Sequence, residues 1–412
     1  MKLTPLAREL YDAIAEFEII DAHENLPPER EYLAHGYSGL NMFAHYIKGD
    51  LRSAGIPQKF AATMRDDVES PPEVWWPTLK PYWEAVRNTS YARALRITAR
   101  DYFGIDDIND DTIAEFAEKV KADNTPGLYR RVLQTKCNIR TSITCWQHAN
   151  FPDDPGIRAI TRIPEVAWHG PKSIAALEAQ SGGSFDTLDA MIDAMQSRMH
   201  ADLAAGAVGF KILSQDFGAP DEAAAEKEWK RALASPDGTA SCLALRDVLL
   251  DKALDVAAET DVPVAVHTGY WGDFRTLDVK FMLDFAVRRP DVRFDMFHLG
   301  MPNYRDATLI GKTLPNVTLN MCWCSIISQL QTARTLDEMI DLVPVNKITA
   351  FGGDYGVCVQ KVYGHLVLAR EVVASALAKR IDDGDFDRDD ALHLAKLWFV
   401  DNPTRIYKLP EA

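Results

Sequence analysis

Five residues of the kind that hold divalent metals or move protons stand where short apolar runs end. Asp21 and His23 follow Ile19-Ile20, His267 follows Val264-Ala265-Val266, and His298 follows Met296-Phe297. Asp354 follows Phe351-Gly352-Gly353. Three imidazoles and a carboxylate drawn together suit a divalent ion such as zinc. Water on that ion sheds its proton near neutral pH. An aspartate beside it can carry the proton. Each signal is weak alone, because a lone histidine at the end of an apolar run more often serves the core. Two such histidines in register with a late aspartate favour a functional reading.

Other groups flank these five. Asn25 stands two residues after His23 and offers a carbonyl oxygen, a weaker zinc ligand than imidazole. Lys211, Arg162 and Arg275 are candidates to hold a carboxylate. Trp323, between Cys322 and Cys324, and Tyr355, beside Asp354, are expected to contact a substrate. Trp146 and His148 close a further apolar run.

The elements that must position these groups follow from the pattern. Short β-rich runs fall at 18–22, 139–144, 159–163, 208–213, 262–266, 293–297, 317–320 and 348–351. Spacers such as 184–205 and 244–260 repeat apolar residues at helical intervals and lack proline. Eight strands alternating with helices predict an α/β fold, a TIM-type (β/α)8 barrel whose chemistry gathers at the C-terminal strand ends. Residues 26–135 interrupt the alternation with pieces of helical periodicity and no strong strand pattern. They are expected to form a helical insertion covering the barrel mouth, within one domain spanning 1–412. The aromatic residues in it, Trp75, Trp76, Tyr82 and Trp83, are expected to pack its interior. No Gly-x-Gly-x-x-Gly follows a strand and no phosphate-binding Gly-Lys-Ser/Thr loop occurs, which speaks against a doubly wound nucleotide fold.

Composition narrows the function. In 412 residues there are 45 Lys+Arg against 60 Asp+Glu, a formal charge of −15. Such a surface repels phosphate backbones, so nucleic acid is not an expected partner. No run of apolar residues is long enough to span a membrane, and the N-terminal residues have no signal-peptide core. Six cysteines with no structural-zinc spacing are expected to be reduced and mostly buried in a cytoplasmic protein. The acidic run 382–390 lacks the order of a calcium loop and reads as a solvated segment before a helix.

The set Asp21-Ala-His23, His267-x-Gly269, His298-x-Gly300 and Gly353-Asp354 resembles the amidohydrolase superfamily, in its amidohydrolase family 2 branch. Asn88-Thr-Ser-Tyr, Tyr102-Phe-Gly-Ile105, Asn316-Val-Thr-Leu-Asn-Met-Cys322-Trp323 and Asn402-Pro403 are similar to uronate isomerases of that branch. The resemblance implies a metal-dependent barrel with one divalent ion, or two. His23, His267 and Asp354 match metal ligands. His298 matches a position that is a ligand in some members and a polarising group in others. Lys211 falls on the strand where binuclear members carry a bridging lysine. Asn25 replaces the second histidine of the usual His-x-His, and His298-Leu-Gly300 looks more like hydrolases and decarboxylases.

The primary expectation is a metal-dependent hydrolase acting on a small polar, carboxylate-bearing substrate. Asp354 would shuttle the proton and His298 would steady the oxyanion. The alternatives are an aldose–ketose isomerase of uronic acids, a non-oxidative decarboxylase, and a degenerate barrel that only binds. Large barrels of the family often pair, so the resemblance also implies a homo-oligomer.

Overall fold

The computed structural model describes every residue except 148, 164–174, 176, 177, 180, 181, 235–240, 272, 274 and 412. His148 therefore lies outside the described residues. Eight strands form one sheet in sequence order: β1 (Ile19–Glu24), β2 (Ile139–Cys145), β3 (Ile157–Arg162), β4 (Phe210–Leu213), β5 (Pro263–His267), β6 (Arg293–Phe297), β7 (Val317–Asn320) and β8 (Ile348–Thr349). The resolved pairings are parallel, as in Ile19 with Ile139, Phe210 with Val264 and Pro263 with Arg293. Beyond β8, the Ala22 N–H donates to the Phe351 carbonyl at 3.1 Å, which links the last strand back to the first. This is the (β/α)8 barrel class that the eight apolar runs predict. Parallel strands covered on both faces read as continuous apolar runs. All six residues of β1 are buried, Asp21, His23 and Glu24 among them.

The chain divides into two compact units. The first comprises 1–144, 151–157 and 320–403. The helix Pro5–Ala15 opens it with proline at the first position and the Thr4 hydroxyl accepting from the Ala7 N–H at 3.1 Å. Between β1 and β2 the segment 26–135 carries a series of helices, including Glu29–His35, Tyr46–Ser53, Pro72–Val86, Ser90–Asp101 and Ile113–Asp123. Their shared interior is aromatic. Trp75, Trp76 and Trp83 are buried, and Phe43 meets Trp83 edge-on at 5.2 Å. The long helix Lys361–Asp382 follows the β8 turn. The acidic run ends in a cap: the Asp387 side chain accepts from the Asp390 N–H and the Asp390 side chain from the Asp387 N–H, opening the helix Arg388–Lys396.

The second unit comprises 145–150, 158–319 and 404–412. Its described helices include Leu188–Ala204, capped by Thr187, and the largely apolar Leu243–Thr260. Trp229, on the helix Glu222–Ala234, is fully buried. All six cysteines of the chain are buried and none forms a disulfide. Among the described residues no helix is long and apolar enough to cross a membrane.

Candidate active site

In the first unit, the residues after β8 form a turn held to β1. Asp354 sits at φ 59° in the left-handed region, which aspartate tolerates better than most residues. A side chain on Gly352 would collide with Cys322, and one on Gly353 with the Glu24 carboxyl. The double glycine before Asp354 is therefore required by close approach. The turn aims the Asp354 carboxylate at β1, where Oδ1 lies 2.9 Å from His23 Nε2. The same oxygen accepts from the Asn25 side-chain amide at 2.5 Å.

An aromatic surface adjoins this cluster. The Tyr46 hydroxyl donates to the Asp354 carbonyl. The Tyr46 ring stacks on Trp323 at 5.0 Å and on Tyr91 at 5.4 Å, and meets Tyr355 edge-on at 5.4 Å. His45 lies against Tyr46 at 4.0 Å. Desolvation, with the Lys361 ammonium nearby, pushes the His45 imidazole down to about 3, so it is neutral. Tyr355 thus follows Asp354 directly, and Trp323 is linked to it through Tyr46.

Two further carboxyls lie beneath the turn, and both are fully buried. Desolvation lifts Asp21 to about 6, and desolvation together with the Asp21 charge holds Glu24 well above the usual range. A buried carboxyl pair relieves its repulsion by keeping one proton between them. Glu24, His45, Tyr46 and Lys361 were not singled out by sequence reasoning, and Tyr91 entered it only as the last residue of Asn88-Thr-Ser-Tyr. A glutamate inside a fully buried strand was the one available signal.

Lys361 opens the helix after the turn. It is buried, donates to the Ala44 carbonyl at 3.2 Å and lies 5.4 Å from the centre of the Tyr355 ring. Desolvation lowers its ammonium from 10.5 to about 8. Below pH 8 the charge is buried in the folded protein, and above 10.5 it is absent from both states. Stability contributed at this position therefore rises as pH rises from about 8 to 10.5, by about 3 kcal/mol. Lys361→Met lacks this term. Urea midpoints of the variant and the wild type should converge or cross between pH 7.5 and 10.5. A difference that does not move with pH would refute the desolvated ammonium.

In the second unit, His298 Nε2 lies 3.0 Å from His267 Nδ1. The His-x-Gly spacing has a local cause in each turn. Gly269 has φ 78°, and a side chain there would strike the Met301 backbone. A Cβ on Gly300, at φ 59°, would approach the Val279 Cβ to 2.6 Å. Thr268 ties the two turns together, its hydroxyl donating to the Phe297 carbonyl at 2.6 Å and accepting from the Gly300 N–H at 3.0 Å. Lys211 is buried with its ammonium 3.8 Å from the centre of the Phe297 ring. Arg162 is exposed at the end of β3. Arg275 is 82% exposed and pairs with Asp273 at 2.6 Å. The predicted residues thus fall into two groups: His23, Asn25, Asp354, Trp323 and Tyr355 in the first unit, and His267, His298, Lys211, Arg162 and Arg275 in the second.

The profile of the amidohydrolase family (Amidohydro_2) matches residues 182–409, more than half of the chain. The chain belongs to the amidohydrolase family. Several solved structures share its fold. The uronate isomerase of Thermotoga maritima superposes with a TM-score of 0.80 at 13% identity, over 98% of each chain. The glucuronate isomerase of Caulobacter crescentus does so at 0.80 and 16%, over 100% of this chain and 96% of its own. A proposed metal-dependent hydrolase of Lactobacillus casei gives 0.65 and 13%, over 97% of each chain. At these identities the likeness is one of fold. No curated protein matches the sequence.

A family metal can be tested against the donors. Two tetrahedral zinc ligands at about 2.1 Å sit about 3.4 Å apart. The His23 and Asp354 donor atoms are 2.9 Å apart, at direct hydrogen-bond distance, and an imidazole nitrogen and a carboxylate oxygen are donor types such an ion takes. Among the described residues no three His, Cys, Asp or Glu side chains form a metal-holding group. His23 and Asp354 thus fit a divalent ion whose remaining positions are left to Asn25, water or substrate.

Proposed function

We propose that this protein is an aldose–ketose isomerase acting on a uronic acid or a closely related sugar acid. The observation that carries the reading is the Asp354 carboxylate, held on His23 and bordered by the Tyr91–Tyr46–Trp323 stack. Binding sites for small polar molecules combine aromatic walls with a few convergent polar groups. The full-length likeness to two uronate isomerases supports the same substrate class.

Isomerisation needs a base beside the carbon next to the carbonyl. Asp354 takes the C2 proton and returns it to C1, while a proton passes from the C2 hydroxyl to O1. His23 orients the Asp354 carboxylate between the two transfers. The Tyr91–Tyr46–Trp323 stack walls the sugar site, and Asn25 holds the Asp354 oxygen in place by its amide. His23 and Asp354 would hold the divalent ion, zinc being the ion the sequence suggests. When bound, that ion polarises the substrate's oxygens.

The family profile also favours a second reading, a hydrolase in which Asp354 takes a proton from water. An assay separates the two. Purified protein, chelated and then resupplied with zinc, manganese or iron, is offered D-glucuronate and D-galacturonate, and ketose formation is measured. Ketose from either substrate is the expected result. No ketose from both, alongside hydrolysis of an amide- or ester-bearing acid, would overturn the isomerase reading in favour of the second.

A further inference from the structure

Three consecutive backbone amides of the turn after β8 donate to β1. The Gly353 N–H donates to Asp21 Oδ1 at 3.0 Å, the Asp354 N–H to the His23 carbonyl at 2.8 Å, and the Tyr355 N–H to Glu24 Oε2 at 2.6 Å. Parallel neighbours normally pair through backbone groups alone. In an extended strand only every second N–H faces a given neighbour, so three successive amides turned to β1 mark the break made by left-handed Asp354, and two side-chain carboxyls receive the outer two. Both carboxyls are fully buried, an expensive placement for acidic groups that serve no partner. Asp21 is braced further by Ser142, whose hydroxyl donates to Oδ2 at 3.2 Å. Glu24 also meets the turn on its other side, where only glycine at 353 leaves room for its carboxyl.

We infer that Glu24, with Asp21, is a positioning residue that clamps the 353–355 turn and so sets where the Asp354 carboxylate stands. The two carboxyls flank Asp354 in the pairing: Asp21 holds the amide before it and Glu24 the amide after it. Glu24 touches no reacting atom and acts through Tyr355 and the turn. Losing its oxygen frees the Tyr355 amide and lets the turn relax away from φ 59°, a strained conformation that persists only while its surroundings enforce it. The inference builds on the proposed role of Asp354 for its activity readout only.

The test compares Glu24→Ala and Glu24→Gln in the full chain. Amide hydrogen exchange at Tyr355, read residue by residue, should speed up by about tenfold or more in Glu24→Ala, as a lost hydrogen bond of at least about 1.4 kcal/mol implies. Exchange at Gly353, held by Asp21, should change far less. With a uronate as substrate, kcat should fall by about tenfold or more with KM within about twofold, the pattern of a displaced catalytic group rather than lost binding. Glu24→Gln keeps an acceptor for Tyr355 and should recover most of both losses. If Glu24→Ala does not fold, Glu24→Asp, whose shorter arm withdraws the oxygen, takes its place with the same expectations. Unchanged exchange at Tyr355, increased exchange with unchanged kcat, or a folded Glu24→Gln as impaired as Glu24→Ala would each overturn the clamp. If the wild type turns over no uronate, the exchange measurement still decides whether the clamp exists, and the failure then belongs to the proposed reaction.

Discussion

Asp354→Asn should leave the protein folded and reduce turnover by roughly 10²–10⁴-fold, the usual contribution of a positioned acid–base group. The folded state is preserved for two reasons. Asparagine has the same shape, and it tolerates the left-handed backbone at φ 59° as well as aspartate does. The loss of activity follows from the charge. The Asp354 oxygen accepts from Asn25 at 2.5 Å and lies 2.9 Å from His23 Nε2, and a neutral amide is a poor base at that place. The measurement is ketose formation alongside a thermal melt. A folded variant with wild-type turnover would remove Asp354 as the base.

Gly364→Ala should destabilise the protein by about 3 kcal/mol, the upper end of the overpacking range. Gly364 lies in the helix Lys361–Asp382, where that helix crosses Ser90–Asp101. An added Cβ would overlap the Ala94 carbonyl and reach 2.7 Å from the Thr98 hydroxyl. The carbonyl belongs to a helix backbone and cannot turn aside as a side chain would. The Thr98 hydroxyl is already engaged, donating to Ala94 O at 3.1 Å and accepting from the Gly364 N–H at 3.2 Å. Gly49, in the helix Tyr46–Ser53, is the control. A Cβ there meets nothing within 4 Å, so Gly49→Ala should be neutral or stabilising by up to about 1 kcal/mol, from helix propensity. Urea midpoints of the two variants decide the matter. A wild-type midpoint for Gly364→Ala would mean the helices are not in backbone contact there.

Much of the architecture was readable from the chain. Buried parallel strands need apolar residues on both faces, so all eight predicted runs coincide with strands to within about two residues. The candidate site residues were picked out for a related reason. A polar group closing a buried apolar run has few purposes, and the ends of β1, β5 and β6 carry Asp21, His23, His267 and His298. The choice between reactions was harder to read. The hydrolase expectation came from the motif at the end of β6. The fold alone does not separate them: uronate isomerases superpose with TM-scores of 0.80 and 0.66, and the Lactobacillus casei protein with 0.65.

His45, Tyr46 and Lys361 carry no periodic or motif signal: His45 and Tyr46 reach Asp354 from about 300 residues away, and Lys361 is a lone lysine opening the next helix. Glu24 was visible only as an anomaly, a carboxyl inside a strand with no exposed residue.

The linear order of residues determined which chemical groups this protein has and which strand ends bear them, since burial imposes an apolar pattern that can be recognised without coordinates. Which of those groups touch was decided only in three dimensions. The 2.9 Å contact of His23 with Asp354 and the three amides bonded to β1 depend on one left-handed residue and two glycines that admit close approach. Contacts of that kind join positions more than 300 residues apart and hinge on a few backbone angles, and no local pattern of residue types encodes them.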